Sequence, residues 1–152
     1  MKNRSAVAAT FVIERNFPVA PARVFAAWSN LEAKQRWFVG PASWVRGEQS
    51  LDFRVGGKER LSGGPPGGVV HHFDATYQDI VPNERIIYSY EMHLDDAKIS
   101  VSLATIEFRR DGNGTKMTLT EQGVFLDGYD KAASREEGTI QLMNQLEGAL
   151  ES

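Results

Sequence analysis

The sequence predicts one α+β domain over residues 1–152, in which a curved antiparallel sheet of about six or seven strands wraps around a long C-terminal helix. Three observations lead to this fold class. Two short helical segments follow the first strand, strand patterns then run through the middle of the chain, and a long amphipathic segment ends it. A sheet with one apolar face needs a cover, and only the last helix is long enough to provide it.

Local signals define each element in order. Alternating apolar residues in ATFVIERNF (9–17) predict the first strand. Pro21 stands at the first helical position of PARVFAAW, and Asn30 is placed to cap a second short helix over 31–38, which Gly40-Pro41 ends. Further strands are predicted over 50–55, 69–81, 85–94, 98–110 and 115–125, and the last helix over 129–152, with an apolar stripe of Ala133, Ile140, Met143, Leu146 and Leu150.

Composition excludes several classes of protein. The net charge of −3 argues against a nucleic-acid-binding protein, which normally carries a basic face. The chain has no cysteine, so disulfides, a thiol nucleophile and thiolate metal sites are excluded. No apolar run approaches the roughly 20 residues that span a bilayer, and the opening MKNRSAVAAT lacks the apolar core of a signal peptide. We therefore expect a cytoplasmic protein without a membrane span.

The predicted turn at Pro82-Asn83 sets which side chains of the two central strands face the helix. A symmetric turn there places Tyr77 opposite Tyr88 and Phe73 opposite Met92. The predicted inner face then carries Phe73, Tyr77, Ile86, Tyr88, Tyr90 and Met92.

The DGNG sequence at 111–114 is a second hairpin signal. Its register places Leu119 inside, and also Glu121, opposite the small Ala104. Upstream in the same strand, Ile99, Val101 and Leu103 stand at odd-numbered positions, whereas the inward Ile106 and Phe108 stand at even-numbered ones. This change of alternation predicts a β-bulge near Ala104-Thr105.

The predicted inner surface is aromatic and methionine-rich, with tyrosine hydroxyls and one carboxylate. Buried tyrosine hydroxyls need partners, so this pattern is typical of an apolar ligand pocket with a few polar groups. The alternative is a plain core in which the tyrosine hydroxyls reach water at the sheet ends. The predicted ligand-binding residues are Trp37, Phe38, Phe53, His71, Phe73, Tyr77, Tyr88, Tyr90, Met92, Leu119, Glu121, Met143 and Leu146.

Glu121 is the candidate catalytic residue. A carboxylate among apolar groups has a raised pKa and can exchange protons near neutrality, with His71, Tyr88 and Tyr90 as potential partners. The alternative is a carboxylate that is hydrogen-bonded to a tyrosine or reaches solvent. The pattern alone leaves open whether the protein is an enzyme.

Two other groups of residues do not form sites. The glycine-rich stretch 55–72 lacks the Gly-Lys-Ser/Thr ending of a phosphate-binding loop, so turns explain it. His71 and His72 are consecutive in a strand and point to opposite faces, and the register places His72 opposite His93 on the outer face. A catalytic zinc normally has three protein ligands. We therefore predict no metal and no other cofactor.

A resemblance to a known family runs through the chain. It is carried by FVIERNFPVAPARVFAAWSNLEAKQRWF, RVGGKER, ATYQDIVPNERIIYSY, TKMTLTEQGVF and EGTIQLMNQLEGAL. These segments resemble homologues of the activator of the 90-kDa heat-shock protein ATPase, within the helix-grip (START-like, SRPBCC) superfamily of lipid-transfer, birch-pollen-allergen and polyketide-cyclase domains. The resemblance covers about Phe11 to Leu150. It implies a helix-grip fold with a cavity between the sheet and the last helix.

The chain departs from this family at Thr139, where the family usually has a tryptophan. The smaller side chain is expected to enlarge or reshape the cavity mouth. The leading hypothesis is a domain that binds a small hydrophobic or amphipathic molecule. The alternatives are a cyclase- or hydrolase-like enzyme centred on Glu121, and a co-chaperone-like module that contacts a chaperone or another protein partner.

Overall fold

The computed structural model describes residues 4–151, and its elements in chain order are β1 (Ala6–Phe17), α1 (Pro21–Ser29), α2 (Leu31–Lys34), β2 (Val45–Leu51), β3 (Lys58–Gly64), β4 (His71–Val81), β5 (Arg85–Leu94), β6 (Ala97–Asp111), β7 (Gly114–Leu126) and α3 (Ala132–Glu151). The seven strands form one antiparallel sheet in the order β1-β7-β6-β5-β4-β3-β2. The sheet curves around the C-terminal helix, which gives the α+β helix-grip-like fold that the sequence predicts.

The two short helices begin as predicted, but the second is shorter than expected. Pro21 opens α1, and the Asn30 side chain accepts a hydrogen bond from the Ala33 N–H at 3.0 Å, which caps α2. The α-helical part ends at Lys34, and the chain continues through turns in which the N–H groups of Trp37 and Phe38 both donate to the Lys34 carbonyl. These turns direct both aromatic side chains into the protein, where they are buried.

The β4–β5 register is confirmed, although the turn differs from the predicted one. Tyr77 lies opposite Tyr88 and Phe73 opposite Met92, but near the turn Ile80 pairs with Ile86, one residue out of that register. The connection is a three-residue loop in which Asn83 has a φ of 64°. A bulge between Tyr77 and Asp79 offsets the longer loop and restores the predicted faces.

The β6–β7 register is also confirmed. Glu121 lies opposite Ala104, and Gly112 in the turn has a φ of 61°, which a two-residue hairpin with glycine at its first central position requires. The predicted bulge near Ala104-Thr105 is wrong. The register shift lies at Ile99, where Ser100 pairs with Met92 and Lys98 pairs with His93.

This earlier bulge reverses the faces predicted for two apolar residues. Val101 and Leu103 lie on the outer face with 43% and 38% of their surface exposed, whereas Ile99 is buried. The alternation that includes Ile106 and Phe108 therefore runs unbroken from Ser100 onward, and the inner face at this end of β6 carries serines.

Two further expectations need correction. The sequence pattern predicts one strand over 50–55, whereas the structure has two, β2 and β3, and Phe53 lies in the loop that connects them. In α3 the buried positions are Thr139, Met143, Leu146 and Leu150, while Ala133, predicted on the apolar stripe, is exposed. None of the described helices is long and apolar enough to cross a bilayer.

Candidate functional site

A cavity of about 1110 Å³ lies between the inner face of the sheet, α3 and the segment that follows α2. Its volume is slightly above the range of about 300–1,000 Å³ that is usual for small-molecule sites. Ten of the thirteen predicted ligand-binding residues line it: Trp37, Phe38, His71, Phe73, Tyr88, Tyr90, Met92, Leu119, Glu121 and Met143.

The structure places the other three predicted residues outside the cavity wall. Phe53 packs edge-on against Phe25 and Tyr77, with ring centroids 5.7 and 4.9 Å away. Tyr77 is buried, and its hydroxyl donates to Glu59 rather than facing the cavity. Leu146 is fully buried in the core beneath α3.

Packed aromatic rings form one apolar wall of the cavity. The ring centroid of Phe73 lies 5.0 Å from that of Phe38 and 4.9 Å from that of Tyr90, and the centroids of Tyr88 and Tyr90 are 5.9 Å apart. Aromatic pairs at these distances and tilts contribute favourable energy beyond the burial of their surface. This wall therefore presents a continuous aromatic surface to a ligand.

One end of the cavity is polar and is organised by Arg135 of α3. Arg135 Nη1 donates to the Tyr90 hydroxyl at 3.2 Å, and Nη2 donates to Ser100 Oγ at 2.8 Å and to Asp130 Oδ2 at 3.0 Å. Only 11% of the Arg135 side chain is exposed. Burial lowers its pKa, but the tyrosine and the carboxylates around it outweigh that effect and raise it, so the guanidinium stays charged.

Glu121 completes this polar end. It is 4% exposed, and its Oε2 atom is enclosed by protein and has no hydrogen-bond partner among the described residues. Desolvation raises the pKa of Glu121, while the neighbouring Tyr90 hydroxyl and the charge of Arg135 oppose that shift. The inward position predicted for Glu121 agrees with the β6–β7 register, and Tyr88 and Tyr90 line the same cavity, while a catalytic role for Glu121 stays a prediction.

The predicted partner His71 lies at the cavity rim rather than beside Glu121. Its ring stacks on Trp44, with centroids 4.5 Å apart. Desolvation lowers the pKa of His71, and Asp130 and Asp95 oppose that shift. On the outer face His72 pairs with His93 as predicted, and the described residues contain no cluster of three or more potential metal ligands.

Helix α3 also fixes the segment that forms the cavity entrance. Gln145 Nε2 donates to the carbonyls of Trp37, at 2.6 Å, and of Val39, at 3.3 Å, and Gln49 Nε2 donates to the Phe38 carbonyl at 3.2 Å. The segment contains Gly40-Pro41 and has no regular secondary structure, so these bonds satisfy carbonyls that no strand or helix pairs.

A buried charged network behind the aromatic wall was missed in the sequence. Lys34 Nζ lies 2.7 Å from Glu59 Oε1, which also accepts the Tyr77 hydroxyl, and all three residues are only 1% exposed. Lys34 Nζ also lies 4.6 Å from the Phe38 ring centroid and 5.8 Å from that of Tyr88, both of which line the cavity. Desolvation lowers the pKa of Lys34, and Glu59 opposes that shift.

A sequence signal for this network does exist. Lys34 is three and four residues before the inward-facing Trp37 and Phe38, and Glu59 lies on the same face of β3 as Leu61, two residues away. Charged residues at inward-facing positions on two elements indicate a buried pair. The sequence pattern predicts no strand over 58–64, so it does not indicate that Glu59 faces inward.

The fold and the lined cavity together define a helix-grip domain. The sequence matches the family model described as "Activator of Hsp90 ATPase homolog 1-like protein" over residues 18–151, and the chain belongs to this family. No functionally curated protein matches the sequence.

Similar solved structures include two proteins from rhizobia. An uncharacterized protein from Rhizobium leguminosarum is 50% identical, with 98% of each chain covered and a TM-score of 0.93. The Mll3558 protein from Rhizobium loti is 43% identical, with 95% of this chain and 99% of that chain covered and a TM-score of 0.89.

A more distant structural match is DynU16, a protein from the dynemicin biosynthetic locus. It is 15% identical, with 94% of this chain and 47% of that chain covered and a TM-score of 0.69. At this identity the match shows a common fold only.

Proposed function

We propose that the protein binds a small amphipathic molecule in the cavity between the sheet and α3. The apolar part of the ligand lies against the aromatic wall of Phe38, Phe73 and Tyr88, and its polar group lies at the end formed by Glu121 and Arg135. The observation that carries the proposal is a cavity of about 1110 Å³ that combines apolar walls with one buried polar end. Small-molecule sites commonly have this composition.

Native mass spectrometry of the natively purified protein tests this proposal, before and after addition of fatty acids, sterols and aromatic polyketides. We expect a co-purifying or captured molecule at one per chain. The Thr139→Trp variant should lose it, because Thr139 lines the cavity and a tryptophan there would fill part of it. Glu137→Trp is the matched control, since Glu137 is exposed on the same helix and does not line the cavity. An unshifted mass across the whole panel would contradict the proposal.

A second candidate function is proton-transfer catalysis at Glu121, as in a cyclase- or hydrolase-like enzyme. It is supported by the unpartnered Oε2 atom of a buried carboxylate with a raised pKa. A general acid or base works best with a pKa near the working pH, and Glu121 combines a raised pKa with a place in the cavity lining. If a captured molecule is converted on incubation, Glu121→Gln should abolish the conversion and leave binding of the neutral molecule in place.

The protein-interaction alternative has weaker support. The exposed large hydrophobic residues among those described are valines, one leucine and one tyrosine, and the phenylalanine and tryptophan side chains are at least partly buried. Interface hot spots are enriched in tryptophan, tyrosine and arginine. A pull-down against the 90-kDa chaperone tests this alternative directly, and retention of the chaperone at micromolar concentration would favour it.

A further inference from the structure

We infer that the polar end of the cavity selects ligands by the chemistry of their head group: it accepts a hydroxyl or an ammonium group and excludes a carboxylate. This inference rests on the proposed function, since it concerns the same cavity. It goes further by naming the class of molecule that the site takes, namely a neutral or cationic amphiphile that donates a hydrogen bond.

The first argument is that the charge of Arg135 is already compensated. Asp130 accepts from its Nη2 at 3.0 Å, and Glu121 lies 4.0 Å from its Nη1. Three of the five guanidinium N–H groups are engaged by Tyr90, Ser100 and Asp130. A ligand carboxylate would therefore meet one cation that two carboxylates already surround. Like charges at close range in a desolvated site are strongly unfavourable.

The second argument is the buried carboxylate of Glu121. The side chain lines the cavity and is 5% exposed, and among the described residues its Oε2 atom is enclosed by protein without a hydrogen-bond partner, so a ligand would meet the carboxylate at Oε1. A buried carboxylate with too few donors is unfavourable, and a ligand that supplies an O–H or N–H to it reduces that cost. A ligand ammonium group would add charge–charge attraction to the hydrogen bond. A ligand carboxylate offers no donor at neutral pH.

The third argument concerns the shape of the site. Glu121 on β7 and Arg135 on α3 lie side by side at one end of the cavity, with Oε2 4.0 Å from Nη1, and Leu119 and Met143 also line the cavity from the same two elements. A linear amphiphile with its head group at Glu121 would extend its chain along the aromatic wall. Head-group chemistry and chain burial are therefore separable, and ligands with the same chain can be compared directly.

Three probes with the same alkyl chain test the inference at pH 7: dodecan-1-ol below its solubility limit, and dodecylamine and dodecanoate below the concentrations at which they aggregate. Tryptophan fluorescence reports binding, because Trp28, Trp37 and Trp44 all line the cavity. We expect dodecan-1-ol and dodecylamine to bind at least ten-fold more tightly than dodecanoate. Glu121→Gln should weaken dodecylamine about ten-fold and should strengthen dodecanoate, because it removes the negative charge and leaves Arg135.

Glu107→Gln is the matched control, since it makes the same charge change on the outer face of β6, and it should leave all three affinities unchanged. Equal or tighter binding of dodecanoate by the wild-type protein would overturn the inference and leave the proposed function standing. Unchanged affinities in Glu121→Gln would also overturn it. Failure of all three probes to bind would instead contradict the proposed function, and the inference with it.

Discussion

Arg135 Nη1 lies 4.0 Å from Glu121 Oε2, too far for a hydrogen bond, while Nη2 of the same guanidinium bonds to Asp130 at 3.0 Å. The arginine is thus held by Asp130, five residues before it in the chain, and by Ser100 and Tyr90 on the sheet. Among the described residues, the Glu121 Oε2 atom is buried without a hydrogen-bond partner. This relationship joins the two charged groups at the polar end of the cavity, and it determines how the protein should respond to pH.

We expect Glu121→Gln to be more stable than the wild-type protein at pH 8, by about 1 kcal/mol, since it removes a buried ionised group that is incompletely hydrogen-bonded. Burial raises the pKa of Glu121 above its unfolded value, despite the nearby Arg135 and Tyr90. At pH values between the unfolded-state pKa and the raised native-state pKa of Glu121, the native protein binds more protons than the unfolded chain. The free energy of unfolding of the wild-type protein therefore falls as pH rises through this interval.

The advantage of Glu121→Gln should therefore shrink as pH falls from above the raised pKa of Glu121 toward 4.5, its ordinary value. Urea denaturation of both proteins between pH 4.5 and pH 8 measures this difference. Glu107→Gln on the outer face serves as the control and should show no such trend. A pH-independent difference between wild type and Glu121→Gln would contradict the environment assigned to Glu121.

A second prediction concerns the buried pair of Lys34 and Glu59. Lys34→Met should destabilise the protein by about 3–5 kcal/mol, because it leaves the Glu59 carboxylate buried without its cation. In the double variant Lys34→Met/Glu59→Gln no charge remains, and the glutamine oxygen can still accept the Tyr77 hydroxyl. We expect the double variant to recover more than half of the loss in chemical denaturation, and a double variant less stable than Lys34→Met would refute this account.

A third prediction tests the position of the bulge in β6. Leu103→Lys should change the free energy of unfolding by less than about 0.5 kcal/mol, since Leu103 is 38% exposed on the outer face. Ile106→Ala, at a fully buried position on the inner face, should cost about 2–5 kcal/mol. Thermal or urea unfolding of both variants provides the comparison. A large loss of stability in Leu103→Lys would instead place that side chain on the inner face, as a bulge near Ala104-Thr105 requires.

The sequence was sufficient to predict the fold class and the inner face of the central strands. Alternation of apolar residues and two turn signals are local features, and they correctly place Tyr77 opposite Tyr88 and Glu121 inside, opposite Ala104. The correct register at β4–β5 depended on two unforeseen features that offset each other, a longer loop at Asn83 and a bulge at Gln78. Pro82-Asn83 marks the turn but does not fix the number of residues in the loop, and the bulge at Gln78 has no distinct local sequence signal.

The parts that the sequence did not reveal depend on contacts between distant residues. Arg135 lies on the polar-looking first turn of α3, and only the sheet's curvature brings its side chain to Ser100 and Tyr90. Lys34 and Glu59 likewise pair across 25 residues of the chain, one from α2 and the other from β3. Predicting charged residues inside a core requires knowing their partners, and local patterns do not supply that information.

The most direct test of ligand binding in the cavity uses the methionine methyl groups as NMR probes. Met92 and Met143 line the cavity, whereas Met117 is fully buried in the core and does not line it. In protein carrying ¹³C-methyl methionine, titration with dodecan-1-ol should shift the Met92 and Met143 signals in a saturable way and leave Met117 nearly unchanged. If none of these signals moves, or if Met117 alone responds, the ligand does not occupy this cavity and the account of its function is wrong.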